Sequence, residues 1–138
     1  MPQRDLYHQA VVKALEKDGW TITDDPLRLN YGTRNLYVDL GAENLLAAEK
    51  DDRLIAVEVK SFSGESDMHD LEMALGQFVL YRGVLAKIDS ERTLYLAIPS
   101  FAFDDVFADQ FGQLVIEQHE LRLVVFEEEK QEILRWLR

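Results

Sequence analysis

Two short apolar runs around a charged turn, Tyr37 to Phe62, constrain this chain more than any other stretch: YVDLGAENLLAAEKDDRLIAVEVKSF. Asp39 enters the first run, Lys50-Asp51-Asp52-Arg53 makes the turn, and the second run carries Glu58, Val59 and Lys60 among hydrophobic residues. Leu54–Val59 is rich in Ile and Val and bounded by turn residues, so it reads as a strand. Leu45–Glu49 reads as its hairpin partner, although Leu and Ala also suit a helix. Side chains two apart on a strand share a face. Glu58 and Lys60 therefore project together, and Val57 and Val59 point the other way. Charges on an otherwise buried strand are expected only when they are paired or bound to metal.

The arrangement Asp39-x18-Glu58-x-Lys60 resembles the core of the PD-(D/E)XK nuclease superfamily. There an Asp opens a strand, and an acid-x-Lys triplet lies on the next strand. The resemblance implies a restriction-endonuclease-like fold of the α/β (α+β) class, with a mixed central sheet flanked by helices. Three residue types at one spacing are also compatible with a structural Glu–Lys pair at a sheet edge and Asp39 as a plain loop acid. The rest of the chain supplies the context.

A chain of 138 residues is one domain, long enough to bury a core. Its 47% hydrophobic and 30% charged residues are globular values. There is no cysteine, which excludes disulfides, thiolate catalysis and a cysteine–zinc site. The first twenty residues are amphipathic and charged, with no signal-peptide core, and no run approaches a membrane span; a cytoplasmic protein is expected. The net charge of -11 counts against a protein that coats nucleic acid nonspecifically, because phosphate binding needs Lys and Arg. It leaves room for a small metal-dependent nuclease, and it favours a partner or a homodimer that gathers basic groups.

In chain order, Asp5–Asp18 reads as a helix with a stripe of Leu6, Ala10, Val11, Ala14 and Leu15, closed by Gly19. Trp20–Thr23 enters the sheet, Asp24-Asp25-Pro26 turns, Leu27–Tyr31 is a second strand, and Gly32–Asn35 links it to the central stretch. Ser63–Asp67 is a loop ending in cap-type residues. Met68–Ala86 is then a long helix with Leu71, Ala74, Leu75, Phe78, Val79 and Leu85 on its apolar face. Gln77 and Tyr81, four apart, share another face. Thr93–Pro99 is a buried strand and Phe103–Glu117 is mostly helix. Leu121–Phe126 and Glu132–Leu137 form a C-terminal hairpin around Glu127–Lys130. The acidic turn reads as solvated, and the series Phe101, Phe103, Phe107, Phe111 as core or a subunit interface.

Phosphodiester hydrolysis with a divalent metal needs carboxylates gathered around one or two hard cations. On the nuclease resemblance, Asp39 and Glu58 are the expected ligands of Mg²⁺ or Mn²⁺, with the backbone carbonyl of Val59 as a third. Lys60 would stabilise charge on the phosphate or help orient and deprotonate the attacking water. Glu43 and Glu49 flank this site, and Glu43 could support it from behind.

Gln77-Phe-Val-Leu-Tyr81 resembles the Gln-x-x-x-Tyr element that RecB-type nucleases carry after the Glu-x-Lys strand, where it touches nucleic acid. The opening helix, Gly19 and aromatic strand resemble the start of archaeal Holliday-junction resolvases. There an acid of the first helix joins the metal site. His8 occupies that position here, and it could ligate metal, contact phosphate or be a plain helix residue.

DLYHQAVVKALEKDGWTIT, LYVDLGAENLLAAEK, IAVEVKSF, ALGQFVLYR and LYLAIP together resemble the XisH family over nearly the whole chain. Those are cyanobacterial excision-controlling factors, named for the fdxN element removed from the chromosome during heterocyst development. The resemblance implies a role in DNA rearrangement beside a site-specific recombinase, with a companion of the XisI family. Two functions follow as expectations. One is a divalent-metal-dependent DNA endonuclease acting in excision. The other is a catalytically silent regulatory protein that keeps the nuclease scaffold and works through XisI or the recombinase. Carboxylates of Asp39 and Glu58 that converge beside Lys60 would support the first; splayed or blocked acids would support the second.

Overall fold

A computed structural model describes residues 5–47 and 53–138. Helix α1 (His8–Lys17) leads into β1 (Thr21–Asp24), and the hairpin β2 (Leu27–Tyr31) and β3 (Arg34–Val38) follows. Next come β4 (Leu40–Glu43), β5 (Leu54–Val59), α2 (Asp67–Ile88) and β6 (Thr93–Pro99). A short α3 (Ser100–Ala102) runs through a wide π-type turn (Phe103–Phe107) to α4 (Gln110–His119), and β7 (Leu123–Glu127) and β8 (Glu132–Leu137) close the chain.

Six strands form one mixed sheet in the order β1-β4-β5-β6-β7-β8, and β2-β3 is a separate two-stranded ribbon. β5, β6 and β7 run parallel and the outer pairings are antiparallel. Parallel strands are covered on both faces, which explains why β5 and β6 are the most continuously apolar strands of the chain. Val57, Val59 and Ile55 pack with Val11, Ala14, Leu15 and Tyr95 on the α1 face. Ala56, Leu94 and Leu96 pack with Leu71, Ala74 and Phe78 on the α2 face. This is the helix-flanked mixed sheet with a terminal hairpin that the sequence predicts for the restriction-endonuclease-like class.

Several local expectations are corrected. The hairpin partner of β5 is Leu40–Glu43, paired Leu40 to Val57 and Glu43 to Leu54, and not Leu45–Glu49. Leu45 and Leu46 are exposed in a turn, while Ala48, Glu49 and the Lys50–Asp52 part of the expected turn lie outside the described residues. In this pairing Leu40 and Ala42 enter the core, whereas Leu45 and Leu46 stay exposed. Arg34 and Asn35 belong to β3 rather than to a link, since they pair with Tyr31 and Asn30. α1 starts at His8 instead of Asp5, and Leu6 is exposed rather than part of the stripe. On α2, Val79 is exposed and Leu75 only half-buried. Phe103 and Phe107 are core, but Phe101 and Phe111 reach the surface.

The expected helix Phe103–Glu117 is broken after Phe107, and a new one starts with Asp109 as its cap, its side chain accepting from the Gly112 amide at 2.8 Å. Gly112 is pressed against backbone: a β-carbon there would stand 2.3 Å from Cα of Phe107. Gly112→Ala is therefore expected to destabilise the fold by about 2–3 kcal/mol or more, read by urea unfolding. An alanine variant as stable as the parent would show that this junction can open freely.

Candidate functional site

Asp39 occupies the single position between β3 and β4, where the chain leaves the ribbon and joins the sheet. There it meets the end of β5. Successive amides of a strand point to opposite sides, so Lys60 N–H goes to the Ala97 carbonyl of β6 at 2.9 Å and Val59 N–H faces the β4 side. The Asp39 carboxylate accepts it through Oδ2 at 2.7 Å. In return, the Asp39 N–H donates to Oε1 of Glu58 at 3.1 Å. Each acid thus accepts an amide from beside the other, and this reciprocal brace fixes both.

Glu58 is only 6% exposed. Burial first, and the neighbouring Asp39 charge second, push its carboxyl up to about 8, while Lys60 holds it down slightly. The Asp39 carboxyl is also raised by burial, against the Val59 amide that favours its charged form. The two carboxyls also act on one another: the Asp39 charge raises Glu58. Near neutral pH the metal-free pair therefore retains a proton that two isolated acids would have lost.

Tyr81 reaches this pair from α2. Its hydroxyl is pushed up to about 12 by burial and then by Glu58 and Asp39. One turn earlier on α2, Gln77 is half-buried, and its Oε1 is shielded from solvent with no hydrogen-bond partner among the described residues. His8 arrives from the other layer. It is 3% exposed, its Nε2 lies 2.8 Å from Asp25 Oδ1, and it acts electrostatically on Asp39. Lys60, half-buried, lines a cavity of about 280 Å³ with Asp5, Ser61, Ser63, His69 and Asp70. Asp39, Glu58, Lys60, Tyr81 and His8 are thus gathered at one end of the sheet. What the fold fixes at Val59 is its amide, bound to Asp39. A wider open hollow of about 720 Å³ along α4, lined by Phe111 and Leu114, shares no residue with this cluster.

Two acids of the cluster escape a reading of spacing. Asp5 accepts the Ser61 amide through Oδ2 at 3.0 Å and raises Asp39 electrostatically. Asp25 holds His8. Asp5 and Ser61 are joined only by the docking of the α1 segment on the end of β5, and the turn that carries Asp25 gives no sign that a buried histidine will meet it. Glu43, half-buried in β4 opposite Leu54, stands farther along that strand from Asp39, and Glu49 lies outside the described residues.

The XisH protein family model matches residues 1–134. The chain belongs to the XisH family. A crystal structure of an XisH family protein from Nostoc punctiforme matches with a TM-score of 0.88 at 38% identity, covering 97% of this chain and 100% of that one. A fdxN element excision controlling factor from Anabaena variabilis matches with a TM-score of 0.88 at 39% identity, covering 98% of this chain and 100% of that one. No curated protein matches. Among the described residues no helix is long and apolar enough to cross a membrane.

The donor set of this XisH chain can be weighed against a divalent cation. Among the described residues no group of three or more His, Cys, Asp and Glu is placed to hold one. Two facing carboxylates do suit Mg²⁺, which keeps several waters and is commonly held by one or two carboxylates together with substrate phosphate. The burial and the Asp39 charge that raise the Glu58 carboxyl make this a place where positive charge is favoured.

Proposed function

We propose that this XisH-family chain is a divalent-metal-dependent DNA endonuclease-like protein acting in DNA-element excision beside a site-specific recombinase. The observation that carries this reading is the mutually braced pair of half-buried Asp39 and buried Glu58, with Lys60 within electrostatic range. Asp39 and Glu58, with the Val59 carbonyl, would hold Mg²⁺ or Mn²⁺. Bound there, the ion would supply Lewis acidity toward a phosphodiester. Lys60 would bind the phosphate oxygen on which charge develops and orient the attacking water from the cavity it lines. Tyr81 keeps its proton far above neutral pH and so serves as a hydrogen-bond donor. Gln77 and Tyr81 would contact the DNA backbone, while His8, buried and held by Asp25, would act on Asp39 from the opposite layer and not on the DNA itself.

The test is incubation of purified protein with supercoiled and branched DNA in Mg²⁺ or Mn²⁺, against EDTA. Nicked or linear product that needs metal and is lost in Glu58→Gln is the expected result. Intact DNA under every condition would sink the reading.

A second reading rests on a separate observation. The chain carries a net charge of -11, and its acid pair has no third carboxylate or histidine ligand among the described residues. These features suit a catalytically silent regulator that works through an XisI-type partner. Excision in cells that survives loss of the acid pair would favour it.

A further inference from the structure

The outward face of α2 is unlike the exterior of an ordinary surface helix. Leu71, Ala74, Phe78 and Leu85 face the core. The opposite face carries Met73, Gly76, Val79, Leu80 and Gly83, with Val79 43% and Leu80 65% exposed. A surface helix is ordinarily polar on this side, and a helix apolar all round is ordinarily covered. Glycine is disfavoured inside helices, yet this face has two. Above both the space is open, with no described atom within 4 Å of where a β-carbon would be. The ends of the stripe are charged with opposite sign: Glu72 begins it and Lys87 ends it, both exposed and without an ion-pair partner among the described residues.

We propose that this face docks against α2 of a second copy of the chain, antiparallel, about a two-fold axis passing between Val79 and Leu80. One register satisfies every position. Turning α2 about that point sets Glu72 opposite the second copy's Lys87, Met73 opposite Ala86, Gly76 opposite Gly83 and Val79 opposite Leu80. All eight positions are exposed. In a two-fold interface each contact occurs twice, so one salt bridge closes each end and the apolar pair lies at the axis. The glycines face one another on either side of it, where the absence of side chains lets the helices approach closely. The charge pattern is self-complementary, which suits a second copy, and only when antiparallel: a parallel pairing would set Glu72 against Glu72 and Lys87 against Lys87. Gln77 and Tyr81 lie beside the stripe and not on it, so the dimer leaves them at the candidate site. The proposal does not depend on what that site does.

The sequence has no cysteine, so a single introduced thiol reports proximity. Leu80→Cys stands at the axis and should give a disulfide-linked dimer under mild oxidation. Leu134→Cys, similarly exposed on β8, should not. Sedimentation of the parent chain over a concentration series should show a dimer, and Leu80→Asp should be monomeric with unchanged circular dichroism. Glu72→Lys and Lys87→Glu should each weaken association about tenfold, and the double exchange should restore it. A parent chain monomeric at all concentrations overturns the proposal and leaves the face to another protein. So does a double exchange no better than the singles, or cross-linking equal at Leu80→Cys and Leu134→Cys.

Discussion

Lys60→Ala is expected to lower metal-dependent DNA cleavage by about 10²–10³-fold, the usual cost of removing one preorganised charge from a site where negative charge develops. Lys60 follows β5 directly and is held by the hydrogen bond its N–H donates to the Ala97 carbonyl, so its side chain can be removed without loosening the strand. Both carboxylates remain. Metal binding, followed as a rise in melting temperature with Mn²⁺, should persist or strengthen, because a nearby positive charge is gone. Association with an XisI-type partner should be unchanged, since Lys60 is half-buried and lines a cavity with Asp5 and Ser61. Unaltered cleavage or excision in the Lys60→Ala chain, with circular dichroism confirming the fold, would refute the endonuclease reading and leave an interaction protein on a nuclease scaffold.

The second large effect concerns stability and pH. The Glu58 carboxyl lies at about 8 in the fold, against 4.5 for an ordinary glutamate. Between these values the native chain holds a proton that the unfolded chain has released, so stability falls as pH rises through the window. Asp39 is shifted in the same direction by burial and adds to the slope. Metal-free protein should therefore lose on the order of a few kcal/mol between pH 5 and pH 8 in urea unfolding with EDTA. Glu58→Gln keeps an oxygen for the Asp39 amide but removes one of the two charges. It should flatten the profile, make the metal-free chain more stable than the parent at pH 8, and abolish the Mn²⁺ rise. Asp39→Asn should likewise stabilise the metal-free chain, against the usual sign for a substitution at a hydrogen-bonded polar position. If Glu58→Gln left the slope intact, the proton would belong to another group. If its melting temperature rose with Mn²⁺ as much as the parent's, the metal would bind elsewhere.

Each outcome depends on features with different visibility in the sequence. The strands β5 and β6 and the helix α2 were legible because their signals are local. Unbroken Ile, Val, Leu and Ala mark strands covered on both faces, and Ser66 caps α2 by accepting the His69 amide at 3.2 Å. That Asp39 and Glu58 meet was legible because a charge in such a strand needs a partner, and the resemblance named one.

What the sequence by itself determined was the class of sheet, the strand that carries Glu58, and the residue types of the site. Alternation and apolar run length are properties of neighbours in the chain. Only the tertiary structure decided the rest. It chose Leu40–Glu43 over Leu45–Glu49 as the partner of β5, because in that register Leu40 and Ala42 join the core while Leu45 and Leu46 stay in solvent, and burial across the sheet is not a property of chain neighbours. It also brought Asp5 to Ser61 and Asp25 to His8, contacts spanning 56 and 17 positions. Finally, it buried Glu58 beside the half-buried Asp39, and that burial, rather than their spacing, raises the Glu58 carboxyl to about 8.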